Sequence, residues 1–63
     1  MVKIKELRKA KGITQVELAR ACGVGQPSVV AWETGKNMPR ANKLIIIAQL
    51  LDCGVDDLIK GDD

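Results

Sequence analysis

The sequence reads as an all-α domain of five short helices, and two features carry that reading. Apolar residues recur at helical spacing along most of its 63 residues. Gly12, Gly23, Gly35 and the turn Asp52-Cys53-Gly54 break the pattern at intervals that leave room only for short helices. At this length the chain makes one small domain, 1–63, or part of one, and a hydrophobic content of 46% supplies a core with little margin. Trp32 is the sole aromatic residue, so Leu, Ile, Val and Ala must fill that core.

The first helix should run from about Val2 to Ala10, with Ile4 and Leu7 facing inward and Arg8 on their side. An arginine beside core residues needs a partner, because an unpaired buried charge is costly. Glu33 is the candidate. Gly12 ends this helix and Ile13 plugs the core before the next one begins.

Thr14 and Glu17 form a capping box at the start of the second helix, each side chain satisfying a backbone N–H of the other's turn. Leu18, Ala19 and Cys22 make its apolar stripe, and Gly23 stands where a helix end needs a residue tolerant of positive φ. After Gly23-Val24-Gly25 a third helix can start at Gly25 or Gln26. Pro27 is allowed there, since the first turn has no intrahelical use for its missing N–H. Val29 and Trp32 point inward and Gly35 stops the helix. Two short helices joined by a tight Gly-containing turn make a helix-turn-helix, here about 14–35, whose second helix can enter a DNA major groove.

A step of about 100° per residue puts Gln26, Pro27, Val30, Ala31 and Thr34 together on the outer side of the third helix. These are the candidate base contacts. Only Gln26 can make a bidentate contact, most naturally to adenine N6 and N7, whereas Val30, Ala31 and Thr34 suit thymine methyls.

The fourth helix, about Arg40 to Leu51, has an expected inward stripe of Ala41, Leu44, Ile47, Ala48 and Leu51. That arrangement leaves Ile46 and Leu50 outside as an apolar pair, the candidate homodimer contact, with packing against the C-terminal segment as the alternative. Val55 to about Ile59 forms a last short helix with Asp56 and Asp57 in its first turn, and Gly61-Asp62-Asp63 should fray.

The ordered set Thr14-Gln15, Glu17-Leu18-Ala19, Gly23-Val24, Gln26 and Trp32-Glu33 before Gly35 resembles the Cro/C1-type (XRE-like) helix-turn-helix family of phage and bacterial repressors. The likeness continues through Pro39, Leu44, Ile47-Ala48 and Val55 to Ile59, nearly the whole chain. It implies a compact five-helix, lambda-repressor-like domain that binds double-stranded DNA through its third helix. It also implies an ion pair between Arg8 and Glu33 that ties the first helix to the third. Gln15 would touch the DNA backbone and brace the first residue of the third helix. Ser28, Lys36, Asn37 and Arg40 complete the implied backbone contacts, which position a protein without reading sequence. The chain departs from the family pattern at Val30 and Ala31, where polar or Arg side chains are commoner, and at Gly25, where Ser or Thr usually caps. Asp52 replaces a usual Gly. The apolar reading face implies A/T-leaning recognition helped by DNA shape.

The charge is lopsided. Residues 1–43 carry nine Lys or Arg against three Glu, and residues 44–63 one Lys against five Asp. A basic front and an acidic end suit a protein that presents one face to phosphates. Cys22 and Cys53 have no metal-ligand spacing and no His to help; they read as reduced, buried small residues, with a disulfide the alternative. With no His, no Gly-rich phosphate loop and no carboxylate pair in a cleft, neither an enzyme nor a cofactor is expected. No small-molecule ligand is expected either. The longest apolar run, Leu44–Ala48, falls far short of the ~18 residues of a membrane span, and the charged start argues against a signal peptide. A cytoplasmic location follows. The expected function is transcriptional regulation, most simply repression, by a homodimer on a two-fold operator. The alternative is a protein-interaction module, an antitoxin or coactivator.

Overall fold

The computed structural model describes residues 3–59, so the expected start at Val2 and the tail 61–63 lie outside the described residues. Five helices follow in order: α1 Ile4–Ala10, α2 Gln15–Cys22, α3 Gln26–Glu33, α4 Ala41–Leu50 and α5 Val55–Ile59. No strand occurs among the described residues.

Local chemistry sets the helix ends. Thr14 Oγ1 accepts from the Glu17 amide at 3.1 Å and Glu17 Oε1 accepts from the Thr14 amide at 2.9 Å, so the capping box is complete. Helices α1 to α4 all end the same way. Just past each end an amide reaches the carbonyl five residues back: Ile13 to Arg8, Val24 to Ala19, Lys36 to Ala31 and Cys53 to Ala48. This closure needs a left-handed residue, which is Gly12, Gly23 and Gly35 in three cases. In the fourth it is Asp52, at φ 54, where an L side chain crowds its own carbonyl.

Ile4, Leu18, Ala19, Cys22, Val29, Trp32, Ile47, Ala48, Leu51 and Leu58 form one buried cluster drawn from all five helices and the α4 cap. A hydrogen bond from the Lys3 amide to the Leu58 carbonyl, 2.8 Å, ties the start of α1 to α5. Two expectations for α4 are corrected. Ala41 is exposed rather than inward, since it opens the helix, and Pro39 is buried in that region. Ile46 is half-buried against the core instead of lying outside. Helix α4 packs on both α2 and α5, so its buried arc is wider than a single stripe. The most exposed aliphatic on this helix is Ile45, at 53%, and Leu50 follows at 37%. Cys22 is buried, Cys53 is half-buried, and both are free thiols. Burial pushes both thiols up, further from the reactive thiolate.

Candidate nucleic-acid interface

Helix α3 lies against α2 across the turn at 23–25, and its exposed side is a continuous surface. Gln26, Pro27, Val30, Ala31 and Thr34 line one shallow depression of about 600 Å³, with Lys36 and Asn37. All five residues expected to meet bases share this surface. Ala31 is half-buried at its floor and the other four are exposed. Thr34 Oγ1 donates to the Val30 carbonyl at 3.0 Å, so toward a ligand this residue offers an acceptor and a methyl group. Among the expected backbone-contact residues, Lys36, Asn37 and Arg40 are exposed in the segment after α3, while Gln15 and Ser28 are half-buried. Gly25 caps α3 without a side-chain hydrogen bond.

Beneath this surface runs a chain of hydrogen bonds. Arg8 Nε donates to Glu33 Oε2 at 2.6 Å, and a terminal Arg8 nitrogen to Glu33 Oε1 at 3.2 Å. The other terminal nitrogen donates to the Ile13 carbonyl at 2.8 Å. Glu33 Oε1 also accepts from Gln15 Nε2 at 2.9 Å, and Gln15 Oε1 accepts from Gln26 Nε2 at 3.1 Å. The ion pair expected from Arg8 is therefore present, its side chains 9% and 3% exposed. Gln15 braces Gln26, as the resemblance implied. The bond from Gln15 to Glu33, which joins the two halves, was not foreseen.

Burial pushes the Glu33 carboxyl up, but hydrogen bonds from Arg8 and Gln15 and the charges of Arg8 and Lys5 outweigh it and hold the group below its usual range. It therefore stays a carboxylate, an acceptor only, at neutral pH. A second unforeseen contact secures the turn: Lys43 Nζ of α4 donates to the Cys22 carbonyl at 2.7 Å. A cation at the C-terminus of α2 meets the negative end of that helix. No cluster among the described residues could hold a metal ion. No described helix is long and apolar enough to cross a membrane.

Two short helices about a glycine turn, the second presenting an exposed face with cationic residues at its exit, define a helix-turn-helix protein. The chain belongs to the Helix-turn-helix family, which it matches over residues 4–58. It is similar to the HTH-type transcriptional regulator YqaE of Bacillus subtilis, 37% identical over 94% of this chain and 51% of that protein. It is also similar to the HTH-type transcriptional activator BcrR of Enterococcus faecalis, 31% identical over 97% of this chain and 30% of that one. The chain thus spans about half the length of the first relative and under a third of the second. Its structure is similar to that of the P22 c2 repressor in complex with a synthetic operator. The TM-score is 0.86 and the identity 32%, over 95% of this chain and 91% of the other.

Proposed function

We propose that this chain binds double-stranded DNA as the sequence-reading unit of a transcriptional regulator. One observation carries the proposal: Gln26, Pro27, Val30, Ala31 and Thr34 share one exposed surface, with the Lys36 and Asn37 side chains beside it. An α-helix fits the major groove, where Gln26 can pair with adenine and the apolar side chains with thymine methyls. Lys36, Asn37 and Arg40, with Gln15 and Ser28 at the helix starts, would grip phosphates on either side. The P22 c2 repressor was captured on operator DNA with this fold, which supports the partner assigned here.

Regulation by occupancy follows, with repression the simplest outcome when the site overlaps a promoter. One bidentate reader per domain gives limited discrimination, because a base pair is worth ~1–3 kcal/mol. A homodimer on a two-fold operator doubles it, with half-sites about one helical turn apart. Exposed Leu50, with half-buried Ile46 one turn before it, offers the apolar contact such a dimer needs, and exposed Ile45 flanks Ile46 on its other side. The chemistry throughout is binding, not catalysis.

Selection of bound duplexes from a random pool at about 0.1 M salt, followed by sequencing, tests the reading. An inverted repeat rich in A and T among the survivors is the expected result. Retention of every sequence alike, or of none, would overturn it. The same exposed aliphatics favour a second reading, a protein partner such as a toxin, and salt separates the two. Phosphate neutralisation makes binding fall steeply with salt, whereas apolar contacts do not.

A further inference from the structure

The hydrogen-bond chain beneath the reading face has a direction, and that direction is set from the buried end. Glu33 is an ionised carboxylate with only acceptor atoms, so the Gln15 amide must turn its Nε2 toward it. Gln15 Oε1 is then left facing Gln26, and Gln26 must answer with Nε2. One of the two Gln26 N–H groups is consumed. What remains outward is one acceptor, Oε1, and one donor.

We infer that Glu33 is a specificity-determining residue that acts through Gln15 to make Gln26 read adenine and reject guanine. The inference rests on the DNA-reading role proposed for α3. In the major groove adenine presents a donor, N6, beside an acceptor, N7, and matches an amide offering Oε1 and one N–H. Guanine presents two acceptors, O6 and N7. To satisfy both, Gln26 would need two outward N–H groups, and the bond to Gln15 leaves it one. A glutamine alone can turn its amide to suit either base. This one is held.

Replacing the carboxylate by an amide should reverse the chain. In Glu33→Gln the shorter of the two Arg8 contacts, 2.6 Å against 3.2 Å, keeps an oxygen in the Oε2 place; the new NH2 then stands at Oε1, gives up the longer Arg8 bond and faces Gln15. Gln15 must then accept through Oε1 and donate through Nε2. Gln26 receives that bond on its own Oε1 and turns both N–H groups outward, the pattern that suits guanine.

The test is binding of the full chain to matched duplexes that carry A·T or G·C at each position of the selected site. Wild type should prefer A over G at the position that Gln26→Ala makes indifferent. Glu33→Gln should lower that A:G ratio by tenfold or more, toward guanine, with ratios at other positions unchanged. Gln15→Leu, which leaves the Arg8–Glu33 pair in place, keeps the test available should Glu33→Gln not fold. Its overall affinity should fall, and the A:G ratio at that one position should collapse toward unity. Unchanged ratios in Gln15→Leu, while Gln26→Ala abolishes the preference, would overturn the inference and leave the DNA-reading role standing. A wild type without base preference anywhere would overturn the role itself.

Discussion

Arg8 and Glu33, 25 residues apart in sequence, join the first helix to the last turn of the third through two hydrogen bonds of 2.6 and 3.2 Å. The pair is almost fully shielded from water, and the other terminal nitrogen of Arg8 donates to the Ile13 carbonyl. Buried pairs of this geometry contribute little over an apolar substitute, but breaking one strands a charge. Arg8→Ala should therefore lose ~3–5 kcal/mol, a figure comparable to the whole stability of so small a domain. Urea unfolding followed by circular dichroism measures it. A loss under about 1 kcal/mol would mean that Glu33 reaches water once Arg8 is gone.

The same pair makes stability depend on acidity. The Glu33 carboxyl titrates below its ordinary 4.5, and Glu17 is lowered as well by its capping bonds to Thr14. A group whose folded value is depressed stabilises the fold above its unfolded value and loses that contribution as pH falls through the folded one. The urea midpoint should hold from neutral pH to about 5 and then fall as pH drops toward about 3. Glu33→Gln starts from a lower midpoint and should fall less, since the Glu33 contribution is gone and that of Glu17 remains. Parallel declines in the two proteins would place the acid sensitivity elsewhere.

Where the chain is governed by local chemistry, the sequence reveals it. The Thr14–Glu17 box, the left-handed glycines after α1, α2 and α3, and the inward Val29 and Trp32 follow from contacts within one turn. Arg8–Glu33 and Gln15–Gln26 were legible through the family resemblance. Ile46 was not legible, because a single helical wheel describes one neighbour and α4 has two, α2 and α5, and Ala41 was not, because it opens the helix ahead of the packed turns. The bond from Lys43 to the Cys22 carbonyl was equally hidden, since a backbone acceptor leaves no mark on the side-chain sequence.

Asp52 closes α4 in the left-handed region that the other three helix ends reserve for glycine. Its partner Lys11 is 3.6 Å away and both side chains are exposed, an interaction of little weight. Asp52→Gly relieves ~1–2 kcal/mol of backbone strain and gives back part of it through the more flexible unfolded chain. A net gain of about 0.5–1 kcal/mol should raise the melting temperature by roughly 2–8 °C. A lower melting temperature would show that Asp52 contributes something beyond this turn.

Ile45 and Leu50 are the exposed aliphatics of α4, 53% and 37% accessible. The pair Ile45→Lys and Leu50→Glu should abolish a dimer while leaving the monomer fold intact, because neither side chain belongs to the buried cluster. Sedimentation equilibrium gives the mass directly. A wild type that already sediments as a monomer at tens of micromolar would refute the dimer, and an unchanged dimeric mass in the variant would move the contact to another face.

Val30 stands in the shallow depression on α3, 39% exposed, at a place where a polar side chain could have read a base. If it meets a thymine methyl, the energy lies in burying two apolar groups against each other, on the order of 0.8 kcal/mol per methyl. Replacing thymine by uracil removes that methyl and leaves every hydrogen-bonding group unchanged. Uracil at one half-site position should weaken wild-type binding about fourfold, the equivalent of that energy. Val30→Ser should bind the thymine duplex more weakly and be nearly indifferent to the exchange. The coupling in this cycle separates a methyl contact from general stiffening of the site, since stiffness would cost both proteins alike. Equal losses for wild type and Val30→Ser at every thymine would remove Val30 from the reading face.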